Sequence, residues 1–93
     1  MKSIIQNEKE CFICGTTNWL EEHHIFESFN RKLSEKYGLK IWLCHAHHNE
    51  PPEGVHHNKE KMIEVKKIGQ KAFMQYYGVD TDRFIQIFGK NYL

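Results

Sequence analysis

Residues 39–52 read LKIWLCHAHHNEPP and contain, in direct succession, a strand pattern, a group of metal-binding residue types and a helix-stopping signal. Leu39, Ile41 and Leu43 are each separated by one residue, and this period of two is typical of a half-buried β-strand. After Cys44 the segment HAHHNE can begin a helix, which the two prolines would stop. The stretch therefore predicts a strand that ends at a thiol and leads into a short, histidine-rich helix.

A second strand is predicted in the segment LEEHHIF, residues 20–26, which can pair with residues 39–44 as a hairpin with a long loop. The loop sequence ESFNRKLSEKYG has room for one or two helical turns before Gly38. The fold class expected from these elements and the helices that follow is α+β.

Two helices are predicted after the prolines. Asn58 is a good N-cap, and Gly78 marks the end of the first of these helices. Between them, apolar residues recur at three- and four-residue spacing and predict one buried stripe: Met62, Val65, Ile68, Ala72, Phe73 and Tyr76. A last short helix, capped by Asp80 or Thr81, is predicted to run through Phe88, and its inner side is expected to carry Phe84, Ile85 and Phe88.

The composition indicates one small folded domain over residues 1–93. The chain is 40% hydrophobic and 27% charged, which is ordinary for a globular domain, and its net charge is +1. A chain of this size buries little surface, so a bound metal would be a useful stabiliser. The sequence contains neither an apolar run long enough for a membrane span nor a signal-peptide core, so a cytoplasmic protein without membrane contact is expected.

The cysteines point to a structural zinc site. An odd number of thiols, three in this chain, suits a metal site better than a disulfide framework in a reducing compartment. Cys11 and Cys14 form a C-x2-C knuckle, which supplies two of the four ligands of a tetrahedral ion. Cys44 and His47 have the same spacing and supply the other two, against the alternative of unrelated buried cysteines.

The remaining histidines suggest a second site. Adjacent residues on a strand point to opposite faces, so one member of the His23–His24 pair can bind a metal while the other stays free to act as a base. His48 would point about 100° away from His47 on a short helix. The turn PPEGV can then bring His56 or His57 back to the same point, whereas His45 is expected to be an ordinary hydrogen-bonded residue.

Taken together, the pattern C-x2-C … EHHIF … N … LC-x2-HH … H resembles the HNH endonucleases, in particular small phage-type proteins with a zinc knuckle and a ββα-metal (His-Me finger) core. The resemblance covers Cys11 to about Lys59 and leaves a helical extension over about 59–93. It implies a structural zinc, a catalytic divalent ion (Mg²⁺, Mn²⁺, Ni²⁺ or Zn²⁺) and hydrolysis of DNA phosphodiester bonds.

Site roles follow from the same resemblance. It implies that His24 is the general base and that the catalytic metal is held by His23, His48 and His56, the last being preferred over His57 because relatives have the form V-H-x-N. The asparagine that orients the base and its loop is most simply Asn30, with Asn58 as the rival.

DNA binding is expected from basic residues because residues 31–93 carry eleven Lys/Arg against seven Asp/Glu. The candidates for phosphate contacts in the loop and second strand are Arg31, Lys32, Lys36 and Lys40. Those on the later helix are Lys59, Lys61, Lys66, Lys67 and Lys71. Phosphate contacts read no sequence, so double-stranded DNA bound with low sequence preference is the expected partner. The protein would act alone, as a homodimer or with a phage or bacterial protein.

The main alternative is a non-catalytic zinc module that binds nucleic acid or protein. It uses the same four zinc ligands but has no joint task for His23, His24, His48 and His56. Metal content separates the two hypotheses, because only the nuclease predicts a second, more exchangeable ion. A zinc hydrolase of peptides or small molecules lacks its usual motifs.

Overall fold

The computed structural model describes all residues, 1–93, and shows an α+β arrangement around a two-stranded sheet. In chain order the elements are β1 (Leu20–His24), a 3-10 turn (Ser28–Asn30), α1 (Arg31–Tyr37), β2 (Lys40–Cys44), α2 (His45–Asn49), a second 3-10 turn (Val55–His57), α3 (Lys59–Tyr77) and α4 (Thr81–Phe88). The predicted α+β class is confirmed.

The predicted hairpin is confirmed in its pairing. Strands β1 and β2 are antiparallel, with Leu20 opposite Cys44 and His24 opposite Lys40. One further backbone bond, from Ile25 N–H to the Leu39 carbonyl at 3.0 Å, continues the ladder beyond the strand ends. In this register His23 and His24, at the end of β1, lie beside the start of β2. Cys44, at the end of β2, lies beside the start of β1.

The loop between the strands contains the expected helical turns, since α1 has seven residues, about two turns, and one 3-10 turn precedes it. Helix α1 ends at Gly38, whose φ of 72° is the left-handed conformation that glycine adopts most easily. Buried Ser34 ties the helix to the chain after β1, since its hydroxyl donates to the Phe26 carbonyl at 2.8 Å and accepts from Phe26 N–H at 3.0 Å.

Residues before β1 cover the free edge of β2. Trp42 N–H donates to Oε1 of Gln6 at 2.8 Å, and Phe12 N–H donates to the Trp42 carbonyl at 2.8 Å. The backbone groups of an exposed edge strand would otherwise be open to pairing with another chain. This contact also brings the Cys11–Cys14 knuckle alongside the end of β2.

Helix α3 has the predicted caps, and two residues of its predicted stripe, Val65 and Phe73, are buried. Asn58 Oδ1 accepts from Lys61 N–H at 3.0 Å, and the helix ends before Gly78. Its buried residues are Val65, Gly69, Gln70 and Phe73. The prediction that Ile68 and Tyr76 are buried is wrong: they are 39% and 60% exposed, because the helix packs through Gly69 onto Ile25 and Phe26.

Helix α4 closes the core from the other side. Asp80, and not Thr81, is its N-cap, with Oδ1 accepting from Arg83 N–H at 2.9 Å. Phe84 and Phe88 are buried as predicted, and their rings stack at a centroid distance of 4.7 Å. The placement of Ile85 on the inner side is wrong, since it is 37% exposed. No helix is long and apolar enough to cross a membrane.

Candidate metal centres

The four predicted zinc ligands come together at the junction of the knuckle, β2 and α2. Cys14 Sγ lies 3.8 Å from Cys44 Sγ, and His47 Nδ1 lies 3.2 Å from Cys44 Sγ and 3.9 Å from Cys11 Sγ. None of the thiols is in a disulfide. The group could hold a metal ion, as the spacing predicted.

These distances fit a tetrahedral zinc ion. With Zn–S of about 2.3 Å and Zn–N of about 2.0–2.1 Å, a tetrahedron has S···S edges of about 3.8 Å and S···N edges of about 3.6 Å. The observed S···S distance equals the first value, and the two S···N distances lie on either side of the second. The four donors could therefore surround one zinc ion.

The knuckle also favours the thiolate form that binds metal. Burial by itself raises the pKa of Cys11, but hydrogen bonds from the backbone at Cys44, Cys14 and Ile13 outweigh it and bring the pKa down to about 6. One of these contacts is from Cys14 N–H to Cys11 Sγ, at 3.5 Å. A thiolate at neutral pH is the form that coordinates a cation.

A second group of three histidines lies on the other side of α2. His48 Nε2 is 3.3 Å from His23 Nδ1 and 3.0 Å from His56 Nε2. Two nitrogens bound to one ion at about 2.0–2.1 Å are separated by about 2.9 Å at a right angle and by about 3.4 Å in a tetrahedron. Both observed distances fall in this interval, so the three rings could hold one divalent ion.

Three different elements supply these rings. His23 comes from β1, where strand alternation turns it inward while His24 faces the other way. His47 and His48 are consecutive on α2, and the helical turn sends them to the two separate groups. His56 comes from the second 3-10 turn, whose first residue, Val55, is buried in the core and anchors it. His57 is exposed and outside the group.

The environment of His23 keeps its ring neutral. Burial lowers its pKa, and the neighbouring His48 and His56 lower it further, to about 3. A neutral imidazole is the form that ligates a metal. Its other nitrogen, Nε2, is buried and has no hydrogen-bond partner. No hydrogen bond to Nε2 orients the ring, and its Nδ1 faces His48 Nε2 at 3.3 Å.

Glu21 orients His48, and the sequence analysis did not identify it. Its Oε1 lies 2.8 Å from His48 Nδ1 and its Oε2 lies 2.9 Å from His45 Nδ1. A carboxylate on one ring nitrogen of a histidine fixes the tautomer that leaves the other nitrogen free for a metal. Strand alternation could have indicated Glu21 from the sequence, because Glu21 and His23 are two residues apart and therefore share a face of β1.

His24 lines the same pocket as the three histidines, but its ring nitrogen faces carboxylates. The pocket, of about 180 Å³, has seven lining residues and no hydrophobic one: Glu22, His23, His24, Glu27, Arg31, His48 and His56. His24 Nε2 lies 3.7 Å from Glu22 and 4.0 Å from Glu35. Burial, and then the positive charge of Arg31, lower the pKa of His24, while the two carboxylates oppose this shift.

Neither candidate asparagine contacts His24. Asn30 Nδ2 donates to the Phe88 carbonyl at 2.9 Å and so ties the first 3-10 turn to the end of α4. Asn58 caps α3, and its Nδ2 donates to the Pro52 carbonyl at 3.3 Å. No contact supports the expectation that Asn30 orients the general base. The bond to Phe88 does support its expected role in holding the loop.

The basic residues fall into two groups. Arg31, Lys32 and Lys36 are exposed on α1. Lys40, predicted with them as a phosphate contact, is instead half-buried between two carboxylates, with Nζ 2.6 Å from Glu35 and 3.6 Å from Glu22. Its charge is already neutralised within the protein.

A groove of about 630 Å³ begins at His56 and runs beside α3. Lys59 and Lys66 line it, together with Lys90, which the sequence analysis did not single out. The ammonium groups of Lys66 and Lys90 lie 5.5 and 5.3 Å from the ring centre of Tyr92. Lys61 instead pairs with Glu53, and Lys67 and Lys71 lie exposed outside the groove.

No known protein-family model matches this chain, and no characterised protein or solved structure matches it either.

Proposed function

We propose that this protein is a metal-dependent endonuclease that hydrolyses DNA phosphodiester bonds, with a ββα-metal core of the HNH type. The observation that carries the proposal is the convergence of His23, His48 and His56 in a polar pocket that His24 also lines. A zinc-stabilised interaction module needs the Cys11, Cys14, Cys44 and His47 group alone. It assigns no joint role to His23, His48 and His56, whose ring nitrogens face one another.

The order of elements supports the same proposal. Two antiparallel strands lead into α2, and the paired histidines lie at the end of the first strand. The structural zinc group and the histidine group share α2 through His47 and His48. Zinc bound by the first group would thus fix the backbone that positions the second.

The chemistry assigned to the pocket is hydrolysis of an anionic diester. A divalent ion held by His23, His48 and His56 would stabilise the negative charge that develops on the phosphate and on the leaving oxygen. His24 takes a proton from the attacking water, for which its lowered pKa favours the neutral form. Arg31, at the edge of the pocket, donates hydrogen bonds to a phosphate oxygen.

Substrate binding is assigned to two basic surfaces on either side of this pocket. One is the start of α1, with Arg31 and Lys32, and the other is the groove with Lys59, Lys66 and Lys90. A strand of DNA that passes through the pocket would meet cations before and after the cleaved bond. Such contacts recognise the backbone and not the bases, so we expect little sequence preference.

The decisive experiment is cleavage of supercoiled plasmid by zinc-loaded protein, with Mg²⁺, Mn²⁺, Ni²⁺ or Zn²⁺ added in turn. We expect nicked or linear product with at least one ion. His24→Ala should reduce the rate by roughly 10²- to 10⁴-fold, the usual contribution of a general base. Circular dichroism and zinc content must match wild type in the variant.

Metal content supplies a matched pair of variants. His56 and His57 are adjacent and both exposed, but only His56 belongs to the histidine group. Wild type and His57→Ala should each bind two ions per chain, one of them readily exchangeable, whereas His56→Ala should retain only the tightly held zinc. One ion in all three proteins, together with no cleavage under any metal, would leave the zinc interaction module as the better account.

A further inference from the structure

Phe29 is the most exposed large apolar side chain of the protein. It lies at the middle of the first 3-10 turn and is 98% exposed. Exposure of an aromatic ring forgoes the free energy that its burial would contribute, which makes Phe29 a candidate for contact with a partner.

The fold holds this ring outward. Ser28, just before it, has a φ of 56°, in the left-handed region that residues other than glycine rarely adopt. Asn30, just after it, donates its backbone N–H to the Glu27 carbonyl at 3.0 Å and its side-chain amide to the Phe88 carbonyl at 2.9 Å. The turn is therefore anchored on both sides of Phe29, and the outward position is a property of the structure.

Phe29 lies close along the chain to two residues of the histidine pocket. Glu27 and Arg31, two residues to either side of Phe29, both line that pocket. Consecutive Cα atoms are about 3.8 Å apart, so the Cα of Phe29 lies within about 7.6 Å of theirs. This is about two base steps of a nucleic-acid strand, at 3.4 Å each.

The surroundings of Phe29 indicate what kind of partner it meets. Its neighbours in the chain are polar or charged: Glu27, Ser28, Asn30, Arg31 and Lys32. The core of a protein–protein interface is depleted of charge and groups several apolar residues. A single aromatic ring beside cations is the arrangement by which proteins hold nucleic acid, with a base on the ring and phosphates on the cations.

We propose that Phe29 stacks on a nucleobase next to the cleaved phosphate and gives the enzyme a preference for DNA with an unpaired or mismatched base at that place. The inference rests on the proposed nuclease function. In an intact duplex the base must first leave its stack, which costs a few kcal/mol, and the cost is smallest where the base is already unpaired. Arg31 holds the neighbouring phosphate while the ring holds the base.

The test uses zinc-loaded protein without added divalent ion and fluorescence anisotropy of three labelled oligonucleotides: a perfect duplex, a duplex with a central mismatch, and a single strand. Wild type should bind the mismatched and single-stranded DNA more tightly than the duplex. Phe29→Ala should weaken binding to these two by about tenfold, as expected for loss of one stacked base. Phe29→Tyr should restore it and Phe29→Leu should not.

Trp19 provides the matched control. It is 84% exposed and precedes β1, at the opposite end of the strand from the first 3-10 turn, and it does not line the histidine pocket. Trp19→Ala should stay within about twofold of wild type, since removal of an exposed ring elsewhere takes away no stacked base. In parallel, a 2-aminopurine placed at the mismatch should change its fluorescence with wild type and not with Phe29→Ala.

Plasmid cleavage by the same proteins separates the possible failures. If wild type cuts DNA while Phe29→Ala binds all three oligonucleotides as wild type does, the stacking role is overturned and the nuclease stands. It is also overturned if Trp19→Ala weakens binding equally, or if Phe29→Ala changes the sedimentation coefficient, which would place the ring in a contact between protein chains. If wild type neither binds nor cuts any DNA, both proposals fail.

Discussion

At the scale of single residues, the two histidine pairs show how neighbours in the chain receive different tasks. His47 and His48 are consecutive on α2 and belong to different groups of potential metal ligands. His56 joins the second group and the adjacent His57 stays in solvent. In each pair the backbone geometry points the two side chains in different directions. The direction of each side chain determines which other ligands could bind the same ion.

Glu21 offers a test of the histidine group that does not change a ligand. Glu21→Gln removes the carboxylate that holds His48 Nδ1, so we expect the affinity of the exchangeable ion to fall by about 10- to 100-fold. Competition with a colorimetric chelator measures this affinity. Glu50→Gln is the control because the Glu50 carboxylate lies 3.6 Å from Nε2 of the exposed His45, outside the histidine group. A fall of equal size there would refute the role of Glu21.

At the scale of elements, the contact between α3 and the end of β1 depends on the absence of a side chain. A Cβ at Gly69 would lie 2.7 Å from Cγ2 of Ile25, which is fully buried. The aromatic residues pack beyond this contact, with Phe26 within 4.9 Å of Phe88 and Phe73 within 5.3 Å of Phe88, between ring centres. Position 69 thus sets how closely the helix approaches the segment that carries His23 and His24.

Gly69→Ala should therefore destabilise the protein, although alanine has a higher helix propensity than glycine. In an exposed helix interior this substitution stabilises by up to about 1 kcal/mol, whereas a methyl group forced into a packed core costs about 1–3 kcal/mol. Urea unfolding of the zinc-loaded protein gives the sign directly. A variant more stable than wild type would show that the helix can move away from Ile25 at no cost.

At the scale of the whole molecule, the group of Cys11, Cys14, Cys44 and His47 joins the segment before β1 to the end of β2 and to α2. Residues before β1 contain neither helix nor strand and are held by hydrogen bonds to β2 and by the knuckle. Only 18 of 93 residues are buried, so the core is small for a chain of this length.

Removal of the zinc should consequently destabilise the whole fold. Zinc binding by such sites contributes about 10 kcal/mol or more, comparable with the total stability of a small domain. Excess chelator is expected to lower Tm by more than about 10 °C, since each kcal/mol shifts Tm by about 4–8 °C at this size. Cys14→Ser should behave as the chelated wild type, but added zinc should restore only the wild type.

The control is His48→Ala, which changes the histidine group and leaves the four cysteine and histidine ligands of the zinc group intact. In chelator-free buffer its Tm should stay near that of wild type. Equal thermal stability of wild type with and without chelator would mean that the Cys11, Cys14, Cys44 and His47 group does not support the fold.

The lysines that line the groove beside α3 lead to a prediction about the salt dependence of DNA binding. Lys66→Gln and Lys90→Gln should each weaken DNA binding several-fold for every sequence and reduce the slope of log K against log salt by about 1. Lys67→Gln, one residue along the helix and outside the groove, is the matched control. Equal effects of all three changes would indicate that only the net charge matters and that DNA does not bind in the groove.

The sequence by itself determined the features that depend on neighbours along the chain. The alternation in residues 39–44, the cap at Asn58, the end of α3 at Gly78 and the two spaced ligand pairs all follow from local geometry, and the structure has each of them. The α+β class and the zinc group were predictable for that reason.

Only the tertiary structure decided the features that depend on which surfaces meet. The choice of His56 over His57, the carboxylate of Glu21 on His48, the pairing of Lys40 and the exposure of Phe29 each require the relative position of elements far apart in sequence. The apolar pattern of α3 placed Ile68 and Tyr76 in the core. The helix instead packs through Gly69, between the buried Val65 and Phe73, and this leaves Ile68 and Tyr76 on the solvent side. A Cβ at position 69 would lie 2.7 Å from Ile25, so close packing at this contact determines which face of the helix is buried.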